Sequence, residues 1–351
     1  MTKIAILTDT HFGARKSAEY LHNHFEKFYS EVFFPTLEKH GVKTILHLGD
    51  AFDSRKSIEY NSLKWTKRVI FDPMKNYDVH MVVGNHDCYF KSTNDTNSPA
   101  LLLQDYENVK TYSDPTEIKV NGEKILMLPW ICEDNVNKTK KMITNTTAKY
   151  AMGHLELNGF EAYCGHKFEN SKELVSPNTF KKFDKVLSGH FHTRSNDGQI
   201  FYIGNPYEIY WNDVNDPRGF VLFDTDNGEI EYVNNPNTLF SIIYYEDNKI
   251  ALLNSSKYVN KIVKVVVRKK TNQKKFDKYL DELFSAGLID LKIVENFNIQ
   301  ETENFNDNNS EENTLSILYR YVDESDFKDS TLNKTDIKKL LSKIYQEACE
   351  V

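Results

Sequence analysis

Apolar and polar positions fall in blocks along the chain, and the blocks predict its elements. Lys3 to Leu7 (KIAIL) is a short β-branched run that stops at Thr8, Asp9, Thr10 and His11, which predicts a strand and then a loop. A helical stretch from about Ser17 to Lys39 is closed by Gly41, and Val42 to Leu48 (VKTILHL) reads as a second buried strand ending in Gly49 and Asp50. The pattern repeats with a helix from about Ile58 to Met74, a strand from Val79 to Val83 (VHMVV), and then Gly84, Asn85, His86 and Asp87. Recurrence at this interval predicts βαβ units and a largely buried sheet, in which ligands collect at the carboxyl ends of strands.

Later strands read as more antiparallel. Ile118 to Val120 and Ile125 to Leu128 flank Asn121-Gly122, a type I′ hairpin signal. Tyr150 to Met152 runs into Gly153-His154, and Lys185 to Leu187 into Gly189-His190-Phe191-His192. Val221 to Asp224 is expected to pair with Glu229 to Val233 across Asn227-Gly228. Beyond about Phe240 the character changes: a strand (Lys261 to Val267), a helix (Lys274 to Ala286) and another strand (Leu291 to Val294) suggest a small αβ module. Glu301 to Asn313 is acidic and Asn-rich and reads as a linker. Leu315, Leu318, Tyr319 and Val322, then Ile337, Leu340, Leu341, Ile344, Tyr345 and Ala348, repeat a helical apolar spacing suited to docking on a partner. The expected division is 1–240, 241–300, 301–313 and 314–351.

With 40% hydrophobic and 27% charged residues in 351, the chain has the balance of a soluble globular protein and room for two domains. No apolar stretch approaches the roughly 20 residues a membrane span requires, and no secretory leader precedes the first strand, so the expectation is cytoplasmic with no membrane partner. Cys88, Cys132, Cys164 and Cys349 lie far apart and read as reduced. The net charge of -7 is local: residues 296–326 hold eight acids against Arg320, and the remainder sums to zero. Lys257 to Glu295 holds ten bases against five acids, a local +5 that could face phosphate.

Five loop clusters together supply Asp9, His11, Asp50, Asn85, His154, His190 and His192, with Asp53 and His86 beside them. Two divalent cations about 4 Å apart need imidazoles, carboxylates that offset positive charge, and one carboxylate that bridges. This set meets that need without cysteine. In Asp9-Thr10-His11 and His190-Phe191-His192, the outer side chains can converge on an extended backbone, because residues i and i+2 share a face. Singly, each residue has a plainer reading as a core histidine or a turn; jointly, complementary ligand types in a fixed order point to a metal site. Asp53 is a candidate catalytic acid that reads equally well as a turn or helix N-terminal acid, and His22, His24, His40, His47, His80 and His166 belong to no motif. Arg15-Lys16 and Lys181-Lys182 could contact a nucleic acid backbone or simply face solvent.

These motifs, D-x-H (Asp9, His11), G-D-x-x-D (Gly49, Asp50, Asp53), G-N-H-D (Gly84 to Asp87), G-H (Gly153, His154) and G-H-x-H (Gly189 to His192), resemble those of the calcineurin-like metallophosphoesterases, in the same order. The TDTHFG and GDAFDSR openings and the GHLEL form of the fourth motif look most like SbcD-type nuclease subunits, in particular the recombination endonuclease subunits of T-even-like bacteriophages. The resemblance implies an α/β fold: a four-layer α/β/β/α sandwich, a small αβ capping domain, and a C-terminal helical tail that binds a partner. It implies one metal held by Asp9, His11, Asp50 and His192, and a second by Asp50, Asn85, His154 and His190, with Asp50 bridging. His86 would protonate the leaving oxygen, with Asp87 orienting its ring. Further implications are manganese as the favoured ion with magnesium as the alternative, 3′-to-5′ exonuclease action on duplex DNA, endonuclease action on single strands, a homodimer, and an SbcC-like coiled-coil ATPase in recombination and break repair. For a phage protein the compartment would be the host cytoplasm. Two rivals are a phosphatase or nucleotide phosphodiesterase on the same scaffold, and a catalytically silent scaffold protein. Ser54-Arg55-Lys56 and Asp87 depart from the protein-phosphatase pattern, and no ligand is missing as a silent scaffold would suggest.

Overall fold

The computed structural model describes residues 2–247, 255–295, 314–324, 333–335, 337–338 and 340–341. The chain divides into two compact units, Met1–Leu239 and Phe240–Val351.

The first unit is mixed α/β, with two six-stranded, parallel-rich sheets. One sheet contains β1 (Lys3–Leu7), β2 (Thr44–His47), β3 (Asp78–Val82) and β4 (Val109–Tyr112) in parallel, with β13 (Gly219–Asp224) and β14 (Ile230–Asn234) added antiparallel beside β1. The other is built on β6 (Glu123–Leu128), β7 (Tyr150–His154), β10 (Lys185–Gly189) and β12 (Ile200–Tyr202), all parallel. Its edges, β5 (Thr116–Val120) and β11 (Ser195–Asn196), are antiparallel. A two-stranded hairpin, β8 (Glu161–Tyr163) with β9 (His166–Lys167), lies in the crossover between β7 and β10.

The sheets share one core because strand residues alternate faces. Ile4, Ile6, Leu46, Val82, Val221 and Phe223 of the first sheet meet Ile125, Met127, Tyr150, Met152 and Leu187 of the second. The intervening Leu126, Leu128, Ala151 and Val186 turn outward, where Ile143 of α3 (Val136–Asn145) and Phe180 cover them. On the far side of the first sheet, Phe28 and Phe33 pack edge-on against Phe220 of β13.

The helices predicted over Ser17 to Lys39 and Ile58 to Met74 each contain a widened turn. The first, α1, runs Glu19–Phe28, passes through a π-helical turn at Tyr29–Phe33, and continues over Phe34–His40. The second, α2, runs Tyr60–Thr66, a π turn at Lys67–Phe71, then Asp72–Met74. Each π turn ends two residues before a proline, Pro35 or Pro73. Proline lacks an N–H and its ring crowds the carbonyl four residues back, so a bulged turn lets the helix pass it.

One sequence expectation needs correction in part. β5–β6, β11–β12 and β13–β14 are antiparallel as expected, but the middle of the second sheet is parallel: β7 and β10 pair from Tyr150↔Lys185 to His154↔Gly189, because a long crossover joins them. The Asn121-Gly122 turn has positive φ at both residues (51° and 93°), as type I′ demands, and β13 pairs with β14 across Asn227-Gly228 as expected, through a longer connection whose pairing begins at Phe223↔Ile230.

The second unit contains a parallel three-stranded sheet, β15 (Phe240–Glu246), β16 (Ile262–Lys269) and β17 (Asp290–Glu295), with α4 (Gln273–Phe284) packing Phe276, Tyr279 and Leu283 on Val263, Val265 and Val267. The sequence signalled β16, α4 and β17 but left β15 unassigned. Thr314–Glu324 is helical (α5). The Glu301 to Asn313 linker, Cys349, and the Ile344 to Ala348 part of the last amphipathic stretch lie outside the described residues.

Candidate metal centre

The carboxyl ends of β1, β2 and β3 in one sheet and of β7 and β10 in the other converge, and every metal-ligating residue anticipated above comes from these ends. Asp9, His11 and His192 form one donor cluster, and Asp50, His154 and His190 form another. Asn85 belongs to the second: its Oδ1 lies 2.9 Å from both His154 Nε2 and His190 Nδ1. Asp50 lies between the clusters, with Oδ2 3.3 Å from His154 Nε2 and 3.9 Å from His11 Nε2.

Convergence is not achieved by an extended backbone. Asp9 (φ 52°), His11 (φ 44°), Asp50 (φ 52°) and His190 (φ 89°) all sit in the left-handed region, so tight loops rather than strand pleats aim these side chains. Holding four non-glycine residues there costs strain that the surrounding bonds must offset. Asp9 accepts the His190 amide (3.0 Å) and the Thr8 hydroxyl (2.7 Å). The approach is close enough that a Cβ on Gly189 would collide with Thr8 Oγ1, and one on Gly84 with the Asp50 carboxylate.

Ring orientation follows from partners that can only accept. His154 Nδ1 donates to the Leu48 carbonyl at 2.8 Å, so its Nε2 is the nitrogen that faces the oxygens of Asn85 and Asp50. His190 Nε2 faces Glu156 Oε2 at 3.4 Å, and the His190 bond holds that carboxylate below its ordinary range, leaving His190 Nδ1 toward Asn85 Oδ1. His11 Nδ1 pairs with Asp53 Oδ1 at 3.2 Å, and its Nε2 faces His192 Nε2 at 3.1 Å. Buried acceptors at these separations need a proton or a cation between them. The donor set of imidazole, carboxylate and amide oxygen, without sulfur, fits a divalent cation.

Electrostatics agree. Burial alone would raise Asp50, but the imidazoles of His154 and His11 outweigh it and hold the carboxylate well below its usual range. Burial would lower His11 and His154; Asp53 and Asp50 beside His11, and Asp50 beside His154, instead raise both to about 9. Burial and Asp50 keep Asp9 above its ordinary value against the opposing effects of His154, His11 and the Thr8 hydroxyl. Burial and the charges of His11 and Arg218 push His192 down, so it stays neutral.

Asp87 is placed differently from the expectation. Its buried carboxylate accepts the amides of Gly84 (2.9 Å), Phe52 (3.0 Å) and Ala51 (3.3 Å), bracing the β2 and β3 loops. Burial and the nearby Asp50 push it up to about 7. The His86 ring is fixed instead by Asp53, whose carbonyl accepts from His86 Nδ1 at 2.7 Å. Asp53 thus anchors His11 through its side chain and His86 through its backbone.

Several supporting residues escaped sequence reading. Glu156 stands two positions after His154 and could have been sought as the carboxylate partner that ligating histidines usually have. Buried Arg218 binds the His192 carbonyl, Asn205 Oδ1 and Asp216 (2.8 Å), and pairs with Asp213 (3.2 Å), bracing the loop that carries His192. His47 lies under the site as a neutral ring, pushed down to about 3 by burial and His154, and joins Thr10 Oγ1 (3.1 Å) to the Gly49 amide (3.3 Å). Glu156 falls within the GHLEL motif without being singled out there, and Arg218 and His47 carried no motif signal.

Two parallel-rich sheets whose strand ends meet at paired His/Asp clusters define a metal-dependent phosphoesterase. The chain belongs to the calcineurin-like phosphoesterase family, whose profile matches residues 2–194. It is similar to exonuclease subunit 1 of Enterobacteria phage T4, with 32% identity over 308 residues, spanning 86% of this chain and 88% of that protein. It is also similar to the SbcD component of the SbcCD nuclease of Staphylococcus epidermidis, at 22% identity over 267 residues, spanning 65% and 67%. The crystal structure of Pseudomonas putida nuclease MPE aligns over 62% of this chain and 82% of that one, at 18% identity and a TM-score of 0.28, too loose to bear on the fold.

Proposed function

We propose that this chain is the nuclease subunit of a DNA break-processing complex. It would hydrolyse phosphodiesters as a 3′-to-5′ exonuclease on duplex DNA and an endonuclease on single strands, with two manganese ions. The observation that carries this reading is the pair of donor clusters joined through Asp50. The similarity to exonuclease subunit 1 over most of both chains supports it.

Asp9, His11, Asp50 and His192 hold one ion and Asp50, Asn85, His154 and His190 the other. Bound there, divalent cations supply a water acidified toward neutrality and neutralise charge on the phosphoryl group. With Nδ1–H committed to the Asp53 carbonyl, His86 exchanges protons through Nε2 alone, which suits it to protonate the leaving oxygen. The second unit serves as a cap that shapes access for DNA ends, and the helices from Thr314 onward dock an SbcC-like ATPase. The active species is a homodimer in the cytoplasm, within the host for a phage protein. No helix among the described residues is long and apolar enough to cross a membrane.

The test combines metal analysis with cleavage of linear duplex DNA. Purified protein is expected to hold near two ions and to degrade the duplex with manganese but not with chelator. His86→Ala should abolish cleavage while leaving metal bound. Metal content near zero overturns the reading, and cleavage by the variant overturns the role of His86.

A further inference from the structure

Next to His190, on the Glu156 side, lies a cavity the reaction above does not use. Trp130 follows β6, its amide bonded to the Val83 carbonyl at 2.7 Å, and its ring stands 5.3 Å from that of His190 and 6.2 Å from that of His154. The cavity, about 290 Å³, is lined by Trp130, Leu174, Lys91, Lys172, Asn170 and Glu156. Glu156 forms a shared wall: one carboxylate oxygen faces His190 Nε2, and the other accepts the Asn170 amide at 3.0 Å.

We propose that this cavity seats one unpaired nucleotide adjacent to the scissile phosphate, its base stacked on Trp130 and its outer phosphate paired with Lys91 and Lys172. This rests on the nuclease reading and adds to it a substrate subsite. An indole plane with a leucine beside it suits any base, since every base has a π face, and the two exposed lysines supply the cations that a phosphodiester backbone needs. The Glu156 carboxylate is engaged by Asn170 and His190, and with Glu133 it makes part of the lining acidic, so the phosphate belongs with the lysines. The volume lies at the lower end of ligand pockets, enough for one nucleotide and too small for a base pair. A duplex end must therefore fray to use it.

The test removes the base rather than the protein. Single-stranded oligonucleotides carry one abasic site at successive positions around the cleaved bond, and KM is measured with manganese. Wild-type protein should show a penalty of about tenfold at one position adjacent to that bond. The penalty should vanish in Trp130→Ala and largely persist in Trp130→Phe. A second readout needs no variant: 2-aminopurine at that position should be quenched on binding to wild-type protein in calcium. An equal abasic penalty in wild type and Trp130→Ala, no penalised position in wild type, or an unquenched probe each overturns the subsite. Failure of wild-type protein to cleave any oligonucleotide would instead overturn the nuclease reading.

Discussion

Asp50 divides its carboxylate between two tasks: Oδ1 accepts the backbone amide of His86 at 2.7 Å, while Oδ2 turns to His154 Nε2 at 3.3 Å. One oxygen therefore fixes the loop that carries the proposed proton donor, and the other remains for metal. Asp50→Asn preserves an oxygen for His86 but removes the charge that offsets two cations. The variant is expected to fold, to lose most of its bound metal by elemental analysis, and to cleave DNA at least about a thousandfold more slowly. Two ions per chain in Asp50→Asn would remove Asp50 from the bridge.

The ligand types were legible because each stands where an apolar run breaks, at the end of β1, β2, β3, β7 or β10. Metal chemistry restricts those positions to a few side chains, and such positions leave a trace in the sequence. The left-handed φ of Asp9, His11 and His190 left none, because these residues carry no glycine signal and their conformation is imposed by tertiary bonds such as His190 N to Asp9. Glu156, Asn205 and Arg218 lie outside any periodic pattern, and their roles depend on which loops fold over which. The parallel pairing of β7 with β10 was likewise a property of the crossover rather than of either strand.

Asp53 separates two effects that a deletion would usually mix. Its side chain holds His11 Nδ1 at 3.2 Å, whereas the bond to His86 uses its backbone carbonyl, which any residue supplies. Asp53→Ala should weaken manganese binding by about 10–100-fold while kcat at saturating manganese stays within a few-fold of wild type. A large fall in saturated kcat would instead make the carboxylate part of the chemistry.

Metal loading should depend steeply on pH. His11 and His154 stand at about 9 in the metal-free protein, raised chiefly by Asp53 and Asp50 against the opposing effect of burial. Their contribution to metal-free stability is fully present below the unfolded value near 6.5 and is lost as pH rises through about 9. Each cation must displace one of those protons, that of His11 at one site and that of His154 at the other, so the apparent affinity for each ion rises by about tenfold per pH unit below about 9. Calorimetric titration with manganese at pH 6.8 and 7.8, in buffers of different ionisation enthalpy, measures both the affinity and the protons released. A flat profile would mean that these imidazoles are already neutral.

Two glycines allow crowding to be separated from backbone strain. A Cβ at Gly84 would strike the Asp50 carboxylate oxygen and the Asp50 backbone nitrogen, and the backbone atom cannot yield. Gly122 has open space around it but φ of 93° in the β5–β6 turn. Gly84→Ala should therefore cost about 3 kcal/mol or more by urea unfolding and reduce metal content. Gly122→Ala should cost only about 1 kcal/mol and leave metal content unchanged. Equal metal content in both variants would show that the Asp50 loop can relax away from Gly84.

Glu156 tests which nitrogen of His190 faces the ion. As a carboxylate it can only accept, so it keeps the proton on His190 Nε2 and leaves Nδ1 for the second cluster. In Glu156→Gln the amide can still accept from Asn170, but its NH2 group then points at His190 Nε2 and favours the opposite tautomer. Nδ1 would carry the proton and oppose a cation beside Asn85. The expected result is one tightly held manganese ion per chain and a second weakened by about tenfold or more, because the Asp9, His11 and His192 cluster does not contain His190. Combining the change with Asp53→Ala should weaken both ions additively, since the two acids act on different histidines in different clusters. Two equivalent, tight ions in Glu156→Gln would mean that His190 binds through Nε2 and that Glu156 competes with the metal rather than orienting its ligand.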